Sequence, residues 1–159
     1  GETSMDTQAT EYLEPELPRR SEVHVMWKPP VRVLLAEDDV HLRTLLRDLL
    51  RREGYLVDEA SSGYDLLEQL GNAAHRRQAL DLIVTDNRMR GATGLEVIEG
   101  LRESHRPGRS STPVILITAF GDAHVHDEAA RLGAVVLDKP LDLDVFLQRV
   151  AVLAGPPTS

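Results

Sequence analysis

The chain has 159 residues, a formal net charge of −8, 42% hydrophobic residues and no cysteine, which suits one domain with a real core plus tails. The acidic balance argues against a nucleic-acid surface, which needs clustered Lys and Arg, and the absence of thiols excludes disulfides and thiolate metal sites and fits a reducing compartment. The longest strongly apolar stretch, around Val114 to Phe120, is far too short to span a bilayer, and the first thirty residues lack a signal-peptide core, so a cytoplasmic protein without membrane attachment is expected.

Residues 1–30 read as an N-terminal extension, partly appended or disordered. Gly1–Ser4 resembles a tag remnant ahead of a candidate natural start at Met5. Trp27, with Val23, Val25 and Met26, is a candidate for docking on the domain or on a partner. Pro29-Pro30 makes a stiff lead-in. From Val31 onward strands and helices alternate. The first strand spans about Val31 to Ala36, and a helix follows with Leu42, Leu45, Leu46, Leu49 and Leu50 at helical spacing, Asp39 as N-cap and Gly54 as left-handed stop. Tyr55 to Ala60 is a second strand. Ser61 or Ser62 caps a helix carrying Leu66, Leu67 and Leu70.

Asp81 to Asp86 is a third strand with the continuous apolar interior of a strand covered on both faces. Leu95, Ile98 and Leu101 mark the third helix. The loop from Arg102 to Thr112 contains Pro107 and Gly108 and leads to a fourth strand, Pro113 to Thr118. Asp122 caps a helix with a thin apolar face of Val125, Ala129 and Leu132, stopped by Gly133. Ala134 to Leu137 is the fifth strand, and Leu143, Phe146, Leu147, Val150 and Leu153 define the last helix. This alternation predicts an α/β fold: a five-stranded parallel sheet with five helices on both faces.

Polar signals follow four of the apolar runs: Glu37-Asp38-Asp39, Asp86, Thr118 and Lys139-Pro140. On parallel strands all four lie at carboxyl ends, the edge where open α/β sheets bind ligands. Carboxylates, a hydroxyl and an ammonium in one crevice suit a divalent metal and a phosphoryl group. The basic spots at His75-Arg76-Arg77 and Arg106 to Arg109 are expected to be solvated charge. The histidines do not form a metal site; His124 and His126 are two apart and should not face together, and His41 is expected in solvent.

The run Leu35-Ala36-Glu37-Asp38-Asp39, then Asp81-Leu82-Ile83-Val84-Thr85-Asp86, then Ile117-Thr118-Ala119, then Asp138-Lys139-Pro140, resembles the receiver domain of two-component response regulators in both order and spacing. The resemblance covers about Val31 to Ala154. It implies the flavodoxin-like strand order 2-1-3-4-5, with a receiver domain at 31–154 and a C-terminal tail or linker at 155–159. By resemblance Asp86 is the phosphoacceptor, Asp38, Asp86 and the backbone carbonyl of Arg88 ligate Mg²⁺, and Glu37 acts on the ion through a water. Lys139 and Thr118 contact the phosphoryl group, and the Lys139-Pro140 bond is cis.

The implied function is acceptance of a phosphoryl group on Asp86 from a sensor histidine kinase or phosphotransfer protein, followed by a switch in partner binding. Such a domain promotes its own phosphoryl transfer and dephosphorylation and is not a conventional enzyme. Its downstream reader is a protein target or an output domain outside this sequence; the chain is a stand-alone receiver or a fragment of a longer regulator, and a homodimer stays open. Two departures from the family pattern stand out. Val136 occupies the position, three before Lys139, that often carries an aromatic ring, and Arg90 stands where Pro is frequent. Arg88 could pair with Glu37 or with a phosphoryl group. These departures keep open an alternative, a phosphorylation-independent receiver acting as a protein-interaction module. An enzyme on a similar sheet is disfavoured: Glu37-Asp38-Asp39 replaces the Gly-rich first turn of nucleotide-binding folds, and Arg88 stands where aspartyl-phosphate phosphatases carry a second Asp.

Overall fold

The computed structural model describes residues 29–104, 111–119 and 122–157. Trp27 and its neighbours, Pro107 and Gly108, the basic run Arg106 to Arg109 and Phe120 lie outside the described residues. Among the described residues ten elements alternate: β1 (Arg32–Ala36), α1 (Val40–Glu53), β2 (Leu56–Ala60), α2 (Gly63–His75), β3 (Leu82–Asp86), α3 (Gly94–Glu103), β4 (Val114–Ala119), α4 (Ala123–Arg131), β5 (Val135–Lys139) and α5 (Leu143–Ala154). The strands form one sheet in the order β2-β1-β3-β4-β5, and every neighbouring pair is parallel. Fold class, strand order and helix count agree with the sequence expectation.

Alternation along each strand divides the core in two. Val33 and Leu35 of β1, Leu82 and Val84 of β3, and Ile115 and Ile117 of β4 pack with Leu46 and Leu50 of α1 and Phe146 and Val150 of α5. Leu34, Ile83, Val114 and Leu116 point the other way, against Leu66 and Leu70 of α2, Val97, Ile98 and Leu101 of α3, and Val125 and Ala129 of α4. With both faces covered, the central strands must be apolar in their interiors, and β1 (Val33–Ala36), β3 (Leu82–Val84) and β4 (Val114–Ile117) are, with polar residues only at their ends. Each fully buried Leu, Ile or Phe contributes about 1.5–3 kcal/mol relative to exposure. Among the described helices α4 is the shortest, with nine residues, and its buried side chains are Val125 and Ala129.

Each of these five helices begins with a side-chain cap in the segment that follows a strand. Asp39 accepts from the backbone N–H groups of His41 and Leu42, Ser62 from Asp65, Asp122 from Val125, and Asp142 from Asp144 and Val145. Thr93 and Glu96 close a reciprocal capping box on α3. Gly54 ends α1 at φ 107°, a left-handed conformation that costs glycine nothing. These caps turn the chain sharply at the carboxyl edge of the sheet, so helix N-termini and strand ends share one rim. β1 leads to β2 on one side and β3 to β4 on the other, which opens a crevice between β1 and β3.

Candidate functional site: an acidic crevice at the strand ends

Three strand ends supply the crevice. Glu37 and Asp38 follow the last residue of β1, Asp86 is the last residue of β3, and Lys139 is the last residue of β5. In the ladders Ala36 pairs with Thr85, Asp86 with Ile117 and Ala119 with Lys139, so these side chains stand at nearly one level across the sheet. Carboxylate oxygens of Glu37, Asp38 and Asp86 all lie within 4.8 Å of one another. Among the described residues this is the one such cluster of acidic or imidazole groups.

Asp86 is 4% exposed. Its Oδ2 accepts a hydrogen bond from Lys139 Nζ at 2.6 Å, and its Oδ1 accepts one from the Arg88 backbone N–H at 3.2 Å. Asn87 fixes the chain behind it: its N–H donates to the Ile117 carbonyl, its carbonyl accepts from Gly94, and its side-chain oxygen accepts from the Leu95 N–H. Gly94 is required at that crossing, because a Cβ there would sit 2.6 Å from the Asp86 carbonyl oxygen. Gly63 does the same at the start of α2. Its N–H donates to the Arg90 carbonyl, and a Cβ would come within 1.9 Å of the Ala92 carbonyl oxygen. The loop carrying Arg88 is thus seated on the first turn of α2 by backbone contact.

Glu37 is 1% exposed, and neither of its carboxyl oxygens accepts a hydrogen bond. The Lys139 ammonium stands 3.7 Å from Oε1. Burial, then a hydrogen bond from the protonated acid to Asp86 and the negative charge of that carboxylate, push the Glu37 carboxyl from its ordinary value of 4.5 up to about 9, with Lys139 opposing. Burial pulls the Lys139 ammonium down, but its hydrogen bond to Asp86 and the surrounding carboxylates outweigh that and leave it above the ordinary lysine value. A buried carboxylate whose oxygens accept no hydrogen bond is costly while it is ionised. It is the donor set that a hard, oxygen-seeking cation such as Mg²⁺ takes, so the residues present fit the ion.

Thr118 is buried near the end of β4, beside Asp138 in the ladder. Arg88 is exposed, and no ion pair joins it to Glu37 among the described residues; the cation beside Glu37 is Lys139. The Lys139-Pro140 peptide bond is cis. Val136 is half-buried and packs against the core on the α2–α4 face. Asp39 lies outside the acidic cluster: its backbone bonds to Leu42 and His41 hold its carboxyl below the usual carboxylate range, as suits a cap. His41 is exposed, as expected.

Two features were not read from the sequence. His126 Nε2 on α4 lies 2.8 Å from Asp138 Oδ1 on β5, next to Lys139. Arg43, Arg47 and Arg51, one turn apart on α1, all reach the β2 side: Arg43 bonds the Glu37 carbonyl and pairs with Glu59, Arg47 pairs with Glu59, and Arg51 bonds the Val57 carbonyl. Regular spacing of arginines was a visible signal, but it also fits a solvated helix face.

Comparison with known proteins gives a uniform result. The sequence profile of the response regulator receiver domain matches residues 33–151. The transcriptional regulatory protein ZraR of Salmonella typhimurium is 33% identical over 120 residues, which cover 75% of this chain and 25% of that protein. Sporulation initiation phosphotransferase F of Bacillus subtilis is 27% identical over 114 residues, covering 71% of this chain and 85% of that protein. The response regulator protein TrrA of Thermotoga maritima, solved in complex with Mg²⁺-BeF, superposes with a TM-score of 0.64 at 27% identity over 77% of this chain and 98% of that one. The chain spans about a quarter of the length of the first curated relatives it matches.

Proposed function

The chain belongs to the response regulator receiver domain family of two-component signalling, and from that membership we propose that it accepts a phosphoryl group on Asp86, with Mg²⁺, from a histidine kinase or phosphotransfer protein. The observation that carries this reading is the buried Glu37 carboxyl, whose oxygens accept no hydrogen bond, beside Asp86 and Lys139. We assign the receiver to residues 31–154, with 1–30 as an extension and 155–159 as a tail.

Glu37, Asp38 and Asp86, with the backbone carbonyl of Arg88, would hold the ion. When bound it supplies positive charge for the phosphoryl oxygens. In the transfer, the P–N bond of a phosphohistidine breaks as a P–O bond forms to Asp86, leaving an acyl phosphate and a neutral imidazole after protonation. Asp86 needs only to be held in line, since such transfers rest on positioning and charge stabilisation. The Arg88 N–H and Lys139 Nζ do the holding. Lys139 then moves from the carboxylate to a phosphoryl oxygen, a point charge following the anion. Thr118 offers a buried hydroxyl on the neighbouring strand. The new group carries more negative charge and more acceptor oxygens than the carboxylate, which shifts the balance between two packings of β4, α4 and β5. The reader of that shift is a protein target or an attached output domain. The TrrA complex with Mg²⁺-BeF supports the same chemistry here. No helix among the described residues is long and apolar enough to cross a membrane.

The test is incubation of the chain with acetyl phosphate and Mg²⁺, followed by intact-mass measurement. A phosphoryl mass gain that disappears with Asp86→Asn and with chelator is expected. No gain in a protein that binds Mg²⁺ would overturn the phosphoacceptor role and favour an interaction module that works without phosphate.

A further inference from the structure

The turn between β1 and α1 carries two of the proposed ion-holding acids, and a third residue fixes its backbone. β1 ends at Ala36, and Asp39 caps α1, so the Glu37 and Asp38 peptides belong to neither ladder nor helix. The Glu37 N–H is held by the Ala60 carbonyl at 3.0 Å. The Glu37 carbonyl accepts a hydrogen bond from Arg43 Nη1 at 2.7 Å. The Arg43 side chain is only 17% exposed, and its Nε lies 3.4 Å from Glu59 Oε1 at the end of β2. One planar guanidinium therefore spans the turn and the edge strand, with Glu59 fixing its orientation and balancing its charge.

We propose that Arg43 is a positioning residue for the cation site. By holding the Glu37–Asp38 peptide plane it sets the direction in which both carboxylates project. This rests on the Mg²⁺ reading above. Two effects of opposite sign compete. A guanidinium near a cation site repels the ion, so removing it would tighten binding if charge decided the matter. Arg43 meets a carbonyl rather than a carboxylate oxygen of Glu37, and Glu59 offsets its charge, so geometry decides. Residues that orient ligands typically change metal affinity by about 10–100-fold when removed. Arg47 supplies the control: it pairs with the same Glu59, at 3.4 Å, from the next turn of α1, and makes no bond to the Glu37 carbonyl.

The experiment is calorimetric titration of Mg²⁺ into the full, metal-free chain, with folding checked by circular dichroism and thermal unfolding. Arg43→Ala is expected to weaken Mg²⁺ binding by about tenfold or more, Arg43→Lys by an intermediate factor because an ammonium cannot hold both partners in one plane, and Arg47→Ala by less than about twofold. Wild-type affinity in Arg43→Ala, tighter binding in it, or an equal loss in Arg47→Ala would overturn the inference and leave the cation site standing. A wild-type chain that binds no Mg²⁺ would overturn the site and this inference together. If Arg43→Ala does not fold, Arg43→Lys decides by the same comparison, and unchanged affinity rejects the role.

Discussion

Replacing Glu37 by glutamine should stabilise the metal-free protein, increasingly so as the pH rises. Glutamine keeps the volume and has no proton to lose. The folded wild type keeps Glu37 protonated up to about 9, whereas an ordinary carboxyl in the unfolded chain releases its proton near 4.5. Between those values the folded state binds more protons than the unfolded state, so the free energy of unfolding falls as pH rises. The proton's contribution is complete below 4.5 and is lost as pH climbs through about 9. The ceiling on the slope is about 1.36 kcal/mol per pH unit, hence about 2.7 kcal/mol between about pH 6 and pH 8. Coupling to Asp86 and Lys139 spreads the titration, which brings the expected change to about 1–2 kcal/mol. Urea unfolding in chelator at both pH values gives the number as variant minus wild type, so other titrating groups cancel. A difference that does not change with pH, or a variant less stable than wild type at the higher pH, would refute the reasoning. It would mean that Glu37 is ionised and paired in the folded chain. Saturating Mg²⁺ should invert the order by stabilising the wild type, by about 2.7 kcal/mol at a hundredfold excess over Kd.

Three further outcomes are expected. Mg²⁺ binding near neutral pH should release protons, because Glu37 must ionise to serve the ion; titration in buffers of different ionisation enthalpy measures the release, and identical heats would contradict it. Lys139→Ala leaves the Asp86 carboxylate without its 2.6 Å partner. Breaking a fully buried pair costs about 3–5 kcal/mol, and a lysine side chain that is 37% exposed reduces this to about 1–2 kcal/mol; chemical denaturation without metal reads the loss, and Mg²⁺ should restore some of it. Gly63→Ala drives a Cβ into the Ala92 carbonyl and should cost about 1–3 kcal/mol, whereas Gly71→Ala, in open space on the same helix, should gain about 0.5–1 kcal/mol in thermal unfolding.

Much of the fold was legible because its signals are local. Apolar runs, the Asp39, Ser62 and Asp122 caps and the Gly54 stop depend on neighbours in sequence, and they fall where expected. Boundaries moved where polar residues continue a ladder. β5 runs through Asp138 and Lys139 because Thr118 and Ala119 pair with them, although hydrophobicity ends at Leu137. The convergence of Glu37, Asp38, Asp86 and Lys139 could be anticipated because parallel strands bring their carboxyl ends to one rim. Contacts between a helix and a distant strand could not. The reach of Arg43 to the Glu37 carbonyl, the His126–Asp138 pair and the seating of Gly63 under Ala92 depend on how elements pack, and periodicity carries no information about that. The Thr93–Glu96 capping box was readable from its spacing alone.

The modest anchoring of α4 has a kinetic meaning. Val125 and Ala129 are its buried side chains and a half-exposed His126–Asp138 contact ties it to β5, where α5 is held by Phe146 and Val150 and α2 by Leu66 and Leu70. Its outer bonds, from Arg131 to Glu99 and Glu128, are half in solvent and add little. Amides of α4 should therefore swap protons with the solvent through a local opening well below the free energy of global unfolding, while those of β1 and β3 wait for the whole domain to open. If Asp86 at the end of β3 takes the proposed phosphoryl group, a segment that opens at small cost would let that single charge be felt on the surface within its lifetime.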